Sequence, residues 1–274
     1  MKNPLGVLEG RLTPTMERGM QFFPDRDGEW EREFVVAQTI GLDCIELLIE
    51  RREDFYNPIH PLNNHEALRH LVEETGVQVH SVHGFFGWHA EMTAELQHLI
   101  RAAVHIKAQM VLLPFFDEQV ITTETARHKA FELLKPCINE AAKLGICFGI
   151  ETELPAEQVV DFIDRFDTPH TLGVAYDIGN AYALGYTVAK EIQWLGKHIV
   201  GVHIKDRLRL NGTPGKSVPL GTGSANLPEA LASLKEANYI GPIILQGARQ
   251  EGVPDKKVVA GYATLIHKLL EKGD

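Results

Sequence analysis

The sequence has 274 residues, of which 44% are hydrophobic and 23% are charged, a composition typical of a soluble globular protein. Its formal net charge of -10 opposes binding to nucleic acid or to anionic lipid. No charged leader precedes an apolar run, and no stretch of about 18 apolar residues occurs, so we expect a cytoplasmic protein that binds neither nucleic acid nor membrane. Cys44, Cys137 and Cys147 form no CxxC motif, which predicts buried, apolar cysteines.

Short apolar runs rich in Val, Ile and Phe recur along the chain, and each is too brief for a buried helix. In chain order these candidate strands cover residues 4–10, 44–49, 77–86, 110–116, 147–152, 172–180, 200–206 and 242–248. Amphipathic segments with helical spacing lie between them, most clearly at 62–76, 123–145 and 226–241. This repeated alternation of strand and helix predicts a parallel sheet.

Eight such units in about 250 residues are typical of a closed (β/α)₈ TIM barrel, and we expect residues 1–274 to form one domain of this fold. Neither a GxGxxG motif nor a P-loop is present. Gly76, Gly145 and Gly241 each end a helical segment, which predicts left-handed C-caps. The stretch 212–226, rich in Gly, Pro and Ser, is predicted to be a long loop.

Strand periodicity predicts which side chains face the barrel interior. In the fifth, sixth and seventh strands, Glu151, Asp177 and His203 share a face with small residues, while bulky side chains such as Val200 occupy the other face. Gln246 has the inward phase in the last strand. All four polar residues lie late in their strands, at the end of the barrel where TIM-barrel active sites are found.

Two carboxylates, an imidazole and an amide oxygen form a ligand set suited to Mn²⁺, Mg²⁺, Co²⁺ or Zn²⁺. The alternative is a structural ion network, in which Glu151 and Asp177 pair with His203 and Lys205. Ligand-type residues on four neighbouring strands, all in one phase, favour the metal site.

Several motifs occur together in an order that is more specific than any one of them. They are Gly149-Ile150-Glu151, Asp177-Ile178-Gly179-Asn180, Val202-His203-Ile204-Lys205-Asp206, the segments 218–223 and 239–242, Gly41-Leu42-Asp43 leading to Glu46, and His83. On these residues the chain resembles the xylose isomerase-like barrel superfamily, and within it the sugar and sugar-phosphate 3-epimerases, such as those acting on L-ribulose 5-phosphate and tagatose. The resemblance implies an isomerase or epimerase for a ketose or ketose phosphate, with Mn²⁺ as the expected cofactor.

The chain departs from that family at the eighth strand, where the family has a glutamate that is both a metal ligand and one of two catalytic bases. Here the residue is Gln246. An amide oxygen can bind a metal, but it cannot accept a proton near neutral pH. We therefore expect ligation to persist and two-base epimerisation to be impaired, because losing a positioned base removes about 10² to 10⁴ in rate, or roughly 3 to 5 kcal/mol.

The predicted catalytic centre contains Glu151 and Gln246. We expect Glu151 to remove a proton next to the carbonyl of a ketose, while the metal stabilises the enediolate as a Lewis acid. Loss of a hydroxyl from the same intermediate would instead make the protein a dehydratase or lyase. A noncatalytic sugar-binding barrel that kept the ligands is the third interpretation. The acidic charge argues against an endonuclease on abasic DNA.

The remaining candidate site residues are predicted to bind the substrate, a small sugar or sugar phosphate: Glu46, His83, Trp88, Lys205 and Arg207. His83, Glu46 and Lys205 are also candidates for the acid that reprotonates the intermediate from the opposite face. Alternatively, His83 is a structural histidine at the rim, and Glu46 pairs with Arg11 or Arg207. His80 differs from His83 in parity and is expected to face the other way.

Three further features surround this site. The aromatic segment 85–89 could cover the apolar face of a sugar or pack on itself. The basic residues at 205–209 suit a phosphate or are simply solvated. Backbone N–H groups at 221–226 could bind phosphate, but Asn226 followed by Glu229 favours a helix-capping box. A homo-oligomer is compatible with this sequence.

Overall fold

Parallel strands close into a barrel in the computed structural model, which describes residues 3–13, 29–49, 57–59, 65–85, 92–116, 119–168, 170–210 and 212–271. The barrel strands are β1 (Leu5–Leu8), β2 (Cys44–Ile49), β3 (Gln78–Gly84), β4 (Met110–Phe115), β5 (Cys147–Thr152), β6 (Leu172–Asp177), β7 (Ile199–Ile204) and β10 (Ile243–Leu245). Around the barrel their order is β1-β10-β7-β6-β5-β4-β3-β2. The predicted (β/α)₈ TIM barrel is confirmed, with every candidate strand in place.

Helices connect the strands and cover the outside of the barrel. They are α1 (Glu29–Thr39), α2 (Glu66–Thr75), α3 (Met92–His105), α4 (Glu124–Leu144), α5 (Ala156–Ile163), α6 (Ile178–Leu184), α7 (Val188–Leu195), α8 (Leu227–Glu236) and α9 (Asp255–Glu271). A 3₁₀ turn, Gly196–His198, leads into β7. None of the helices in the described ranges is both long and apolar enough to span a bilayer.

The main apolar core lies between the strands and the helices. Phe148 and Ile150 of β5 are fully buried in it, on the face opposite Glu151, as the alternation predicts. Smaller clusters fill the barrel interior, one of them around Met110 and Leu112. Burying each such side chain stabilises the fold by about 1.5 to 3 kcal/mol, so the strand phase that directs Glu151 inward is strongly fixed.

The cysteines are free thiols with no catalytic environment. Cys44 and Cys137 are buried as predicted, whereas Cys147 is half-buried. Burial raises the pKa of Cys44 and Cys137 to about 12 and that of Cys147 to about 11. They are therefore protonated, unreactive thiols at neutral pH.

Two of the three predicted glycine caps are confirmed. Gly76 and Gly145 end their helices with φ values of 72° and 71°. The prediction for Gly241 is wrong, because α8 ends earlier and Asn238 takes the positive φ, at 55°. Asparagine tolerates this conformation better than most residues. At Gly241 a Cβ would lie 2.5 Å from the hydroxyl of Tyr239, so this glycine permits close packing.

The outward orientation predicted for Val200 is also wrong. The pairing of β6 with β7 shifts between Val174 and Ala175, which leaves Val200 as an extra residue in a bulge. Its side chain packs on the interior cluster around Met110. A Cβ on Gly173 would lie 2.3 Å from Val200 Cγ1, so glycine makes room for this side chain.

The stretch 212–226 is not the continuous loop that its composition predicts. Strand β8 (Asp206–Leu210) pairs antiparallel with β9 (Thr213–Val218) in a hairpin directly after β7. Half of the residues of β9 are exposed and only its last is buried, so the strand has no apolar alternation by which a sequence would reveal it. The Arg207 guanidinium strengthens the hairpin by donating to the carbonyl of Gly215 at 2.7 and 3.0 Å.

Candidate metal centre and active site

The strand ends bring the predicted ligands together inside the C-terminal mouth of the barrel. Glu151, Asp177 and His203 belong to β5, β6 and β7, and each offers a ligand atom within 4.8 Å of the other two. Gln246 directly follows β10, the next strand around the barrel. These four side chains are at most 7% exposed. The positions expected from strand phase are therefore the positions observed.

Three atoms of this group fit a bound cation because their hydrogen-bonding capacity is unused. Asp177 Oδ2, His203 Nδ1 and Gln246 Oε1 are buried and accept no hydrogen bond from any residue that the structure describes. A buried polar atom left unsatisfied costs about 1 to 3 kcal/mol. A divalent ion that binds oxygen and imidazole ligands would compensate that cost at all three atoms.

The same residues also form the ion pairs of the alternative interpretation. Lys205 Nζ lies 3.0 Å from Asp177 Oδ2, although its angles are outside hydrogen-bond geometry. His203 Nδ1 lies 3.5 Å from Glu151 Oε2. An ion network therefore accounts for both carboxylates, but it gives no partner to the amide oxygen of Gln246.

The charges of Glu151 and His203 depend on two opposing effects, burial and the charges of neighbouring side chains. Burial alone would raise the pKa of Glu151, but the nearby charges of His203 and Lys205 lower it below its ordinary value. Burial alone would lower the pKa of His203, but the Glu46 and Glu151 carboxylates raise it well above 6.5. Without a metal, the centre thus favours a carboxylate beside an imidazolium.

Glu46 is fully buried behind the candidate metal centre and contacts two histidines. Its Oε1 lies 3.0 Å from His203 Nε2 and 3.3 Å from His83 Nδ1, and its Oε2 accepts from Ser81 Oγ at 2.6 Å. Burial would raise the pKa of Glu46, but the charges of His203 and His83 and their hydrogen bonds lower it well below its usual range. Because a carboxylate only accepts hydrogen bonds, both facing nitrogens carry protons.

This arrangement leaves His203 Nδ1 free to bind a metal once it is deprotonated, as in the carboxylate–histidine pairs that orient metal ligands. The alternative that pairs Glu46 with an arginine is wrong. Arg11 instead donates to the carbonyl of Gly247 at 3.0 Å, and Arg207 donates to Asn180 Oδ1 at 3.0 Å.

Asn180 is a site residue that the sequence reasoning missed. Its amide donates to Glu151 Oε1 at 3.0 Å, and its backbone N–H donates to Asp177 Oδ1 at 2.8 Å. The signal was available, because an Asp three residues before an Asn at a strand-to-helix junction is a helix N-cap pattern. A Cβ on Gly179 would lie 2.7 Å from the carbonyl oxygen of Lys205, so glycine allows this turn to approach β7.

A cavity of about 460 Å³ opens above the centre. Its lining includes Glu151, Asp177, Gln246, His83, Phe85, Phe116, Lys205 and Arg207. The rings of Phe85 and Phe116 have centroids 5.8 Å apart and form an apolar wall. Trp88 and the rest of the segment 86–89 lie outside the described residues. His80 lines a separate cavity at the N-terminal end of the barrel, away from this site.

The backbone donors proposed for phosphate are occupied by the protein itself. The Asp206 carboxylate accepts hydrogen bonds from the N–H groups of Gly221, Gly223 and Ala225 at 3.0, 2.9 and 3.2 Å. The role of this loop is therefore structural, which is the interpretation that the sequence favoured. The capping box is wrong in detail, because the side chain of Asn226 forms no cap hydrogen bond with the helix backbone and pairs with that of Glu229 instead.

Comparison with known proteins agrees with this architecture. The family model described as xylose isomerase-like TIM barrel matches residues 34–265. The L-ribulose-5-phosphate 3-epimerase UlaE of Escherichia coli strain K12 is 25% identical, and the match covers 79% of this chain and 81% of that protein. A D-allulose 3-epimerase from Methylomonas sp. superposes with a TM-score of 0.77 at 14% identity, covering 98% of both chains.

The structure of an IolI protein with a bound zinc atom also superposes with a TM-score of 0.77, at 16% identity and with 99% of both chains covered. At such identities the superpositions establish the fold alone. The family match covers most of the sequence, including every strand that supplies a candidate ligand and Gln246 itself. The chain therefore belongs to the xylose isomerase-like TIM barrel family.

Proposed function

We propose that this protein is a divalent-metal-dependent isomerase or epimerase that acts on a ketose or ketose phosphate through an enediolate. The observation that carries the proposal is the cluster of Glu151, Asp177 and His203, with Gln246 lining the same cavity and with buried ligand atoms that have no hydrogen-bond partner among the described residues. The named relatives act on L-ribulose 5-phosphate and D-allulose, both ketose sugars, which supports the same substrate class here.

Each proposed step depends on one of the four ligands and on a neighbouring side chain that supports it. A divalent ion held by them would act as a Lewis acid on the carbonyl and adjacent hydroxyl of the substrate. Glu151 takes the proton from the carbon next to the carbonyl, and its carboxylate is held in position by Asn180. Glu46 fixes the orientation of His203. Lys205 places positive charge beside Asp177, where the oxygen of the enediolate gains negative charge.

The chemistry of the donor set supports a hard or borderline ion. The set contains oxygen and imidazole nitrogen and no thiolate, which suits Mn²⁺, the ion we propose, and equally admits Mg²⁺, Co²⁺ or Zn²⁺. The zinc in the IolI structure shows that a barrel of this shape can hold such an ion.

The cavity supports a small polar substrate bound by both polar and apolar contacts. Its volume of about 460 Å³ falls within the usual range for small-molecule sites, roughly 300 to 1,000 Å³. Phe85 can cover a C–H face of the sugar, and we propose that Lys205, Arg207 and Trp88 contact its hydroxyl or phosphate groups.

We also propose that the protein works in the cytoplasm as a small-molecule enzyme.

Proton exchange tests this proposal without requiring the substrate to be known in advance. Metal-stripped protein is incubated in D₂O with a panel of ketoses and ketose phosphates, with and without Mn²⁺, and deuterium incorporation is followed by NMR. We expect metal-dependent exchange next to the carbonyl, and we expect Glu151→Gln to reduce it by about 10² to 10⁴.

The other interpretations give different outcomes in the same experiment. Exchange accompanied by loss of a hydroxyl would identify a dehydratase or lyase. Binding of a ketose with no exchange under any metal would identify a noncatalytic sugar-binding barrel. Either result would reject the proposed isomerase.

A further inference from the structure

An epimerase needs a second group that returns a proton to the opposite face of the intermediate, and the ligand set does not supply it. Gln246 cannot carry a proton between carbon and solvent, because an amide neither accepts nor donates one near neutral pH. Lys205 is held at 3.0 Å from Asp177 Oδ2. The second group must therefore be found elsewhere around the cavity.

His83 has the geometry of an oriented acid–base residue. It lies near the C-terminal end of β3, is 3% exposed and lines the cavity. Its Nδ1 lies 3.3 Å from Glu46 Oε1, whereas its Nε2 is buried and has no hydrogen-bond partner among the described residues. One ring nitrogen is thus fixed by a carboxylate, and the other is unused.

Neighbouring side chains contact both members of the Glu46–His83 pair. Ser81 donates to the second oxygen of Glu46 at 2.6 Å, which favours the orientation of the carboxylate toward His83. The ring of Phe85 meets that of His83 edge to face, with centroids 6.2 Å apart. A base oriented by a third group in this manner is the usual arrangement for proton transfer in enzymes.

We propose that His83 is the second proton-transfer residue of this site and that Glu46 is its positioning residue. The inference rests on the proposed isomerase function. Glu151 takes the proton as the C–H bond breaks, and the electron pair passes into the enediolate. His83, protonated on both ring nitrogens, then gives its Nε2 proton to the other face or to the neighbouring carbon, where the pair forms the new C–H bond, and it is left as the neutral Nδ1–H tautomer. His83 regains a proton from solvent, and Glu151 loses its proton there, so no other reactant is needed.

The position of His83 around the barrel suits this division of roles. His83 lies on β3 and Glu151 lies on β5, and β4 alone separates these strands in the barrel. The two side chains therefore enter the cavity from different strands. The ring centroid of His83 is 6.0 Å from that of His203, which places it beside the metal centre but outside the ligand set. A substrate held at the centre would therefore be within the cavity that both Glu151 and His83 line.

The test compares two rates in one D₂O experiment with Mn²⁺: label entering the recovered starting ketose, and formation of the isomeric product. In His83→Gln we expect exchange by Glu151 to stay within about threefold of wild type, while product formation falls by about 10² or more. His80→Gln on the same strand is the matched control and should change neither rate. His83→Asn repeats the test if the glutamine variant does not fold.

The outcomes separate this inference from the function on which it rests. Wild-type protein that shows no exchange at all would refute the proposed function. Wild-type exchange without product would refute the proposed isomerase as well. A His83 variant whose product formation is unchanged, or falls in parallel with exchange, would overturn the role of His83 alone.

A measurement on metal-free protein adds a readout that does not depend on turnover. Long-range ¹H–¹⁵N NMR reports which ring nitrogen of neutral His83 carries the proton. We expect the Nδ1–H tautomer in wild type and a loss of that preference in Glu46→Gln. An Nε2–H tautomer in wild type, or no change in the variant, would refute the positioning role of Glu46.

Discussion

Asp206→Asn should destabilise the protein far more than an ordinary surface substitution. The carboxylate accepts three backbone hydrogen bonds, from Gly221, Gly223 and Ala225. An asparagine oxygen can keep the two donors that share Oδ2, but its NH₂ group then faces the N–H of Ala225. Losing one bond to a charged group costs about 1.5 to 3 kcal/mol, and weakening the other two costs about 1 kcal/mol each. We therefore expect a loss of roughly 3 to 5 kcal/mol.

Urea denaturation measures this loss as a lower midpoint at an unchanged slope. Asp43→Asn is the matched control, because Asp43 Oδ2 accepts the N–H of Leu5 at 2.8 Å and asparagine can keep that bond. We expect the control to lose only about 1 kcal/mol. A loss in Asp206→Asn no larger than in the control would refute the assigned role of Asp206 in holding the loop after β9.

The remaining predictions concern chemistry, metal binding and packing. Gln246→Glu restores a carboxylate that can carry a proton, so adding it to His83→Gln should raise product formation in the D₂O assay by about 10² or more; a double variant no faster than His83→Gln alone would reject our explanation of this position. The carboxylates raise the pKa of His203, so a proton competes with metal below that pKa. Metal affinity should therefore increase with pH, and calorimetry in two buffers should detect proton release; pH-independent affinity would contradict this. Gly173→Ala should cost about 1 to 3 kcal/mol or more because its Cβ would lie 2.3 Å from Val200 Cγ1, whereas Gly261→Ala, with nothing within 4 Å, should stabilise α9 by about 0.5 to 1 kcal/mol; equal melting temperatures would refute the packing argument.

Strand phase was the most reliable signal in the sequence, for a physical reason. Barrel strands alternate between an outer face that packs on helices and an inner face with less room, so bulky and small residues separate by parity. Phe148 and Ile150 therefore mark the outside of β5 and place Glu151 inside. The same reasoning failed at Val200, because a bulge adds one residue there, and the parity set by His203 does not extend back to the start of β7.

The features that the sequence did not reveal depend on long-range contacts or on backbone pairing. Glu46 is separated from His203 by 157 residues, and no local pattern shows that the two side chains meet. The β8–β9 hairpin is held largely by main-chain hydrogen bonds, so its exposed residues follow no apolar pattern. The partners of Asp206 are backbone N–H groups, which carry no residue-type signal at all.

The central claim is that four side chains at the mouth of the barrel hold one divalent ion. Anomalous diffraction from crystals soaked in Mn²⁺ tests it most directly. We predict a single strong peak at about 2.0 to 2.6 Å from side-chain atoms of Glu151, Asp177, His203 and Gln246. A peak at another place, or no peak while Lys205 remains paired with Asp177, would contradict the account.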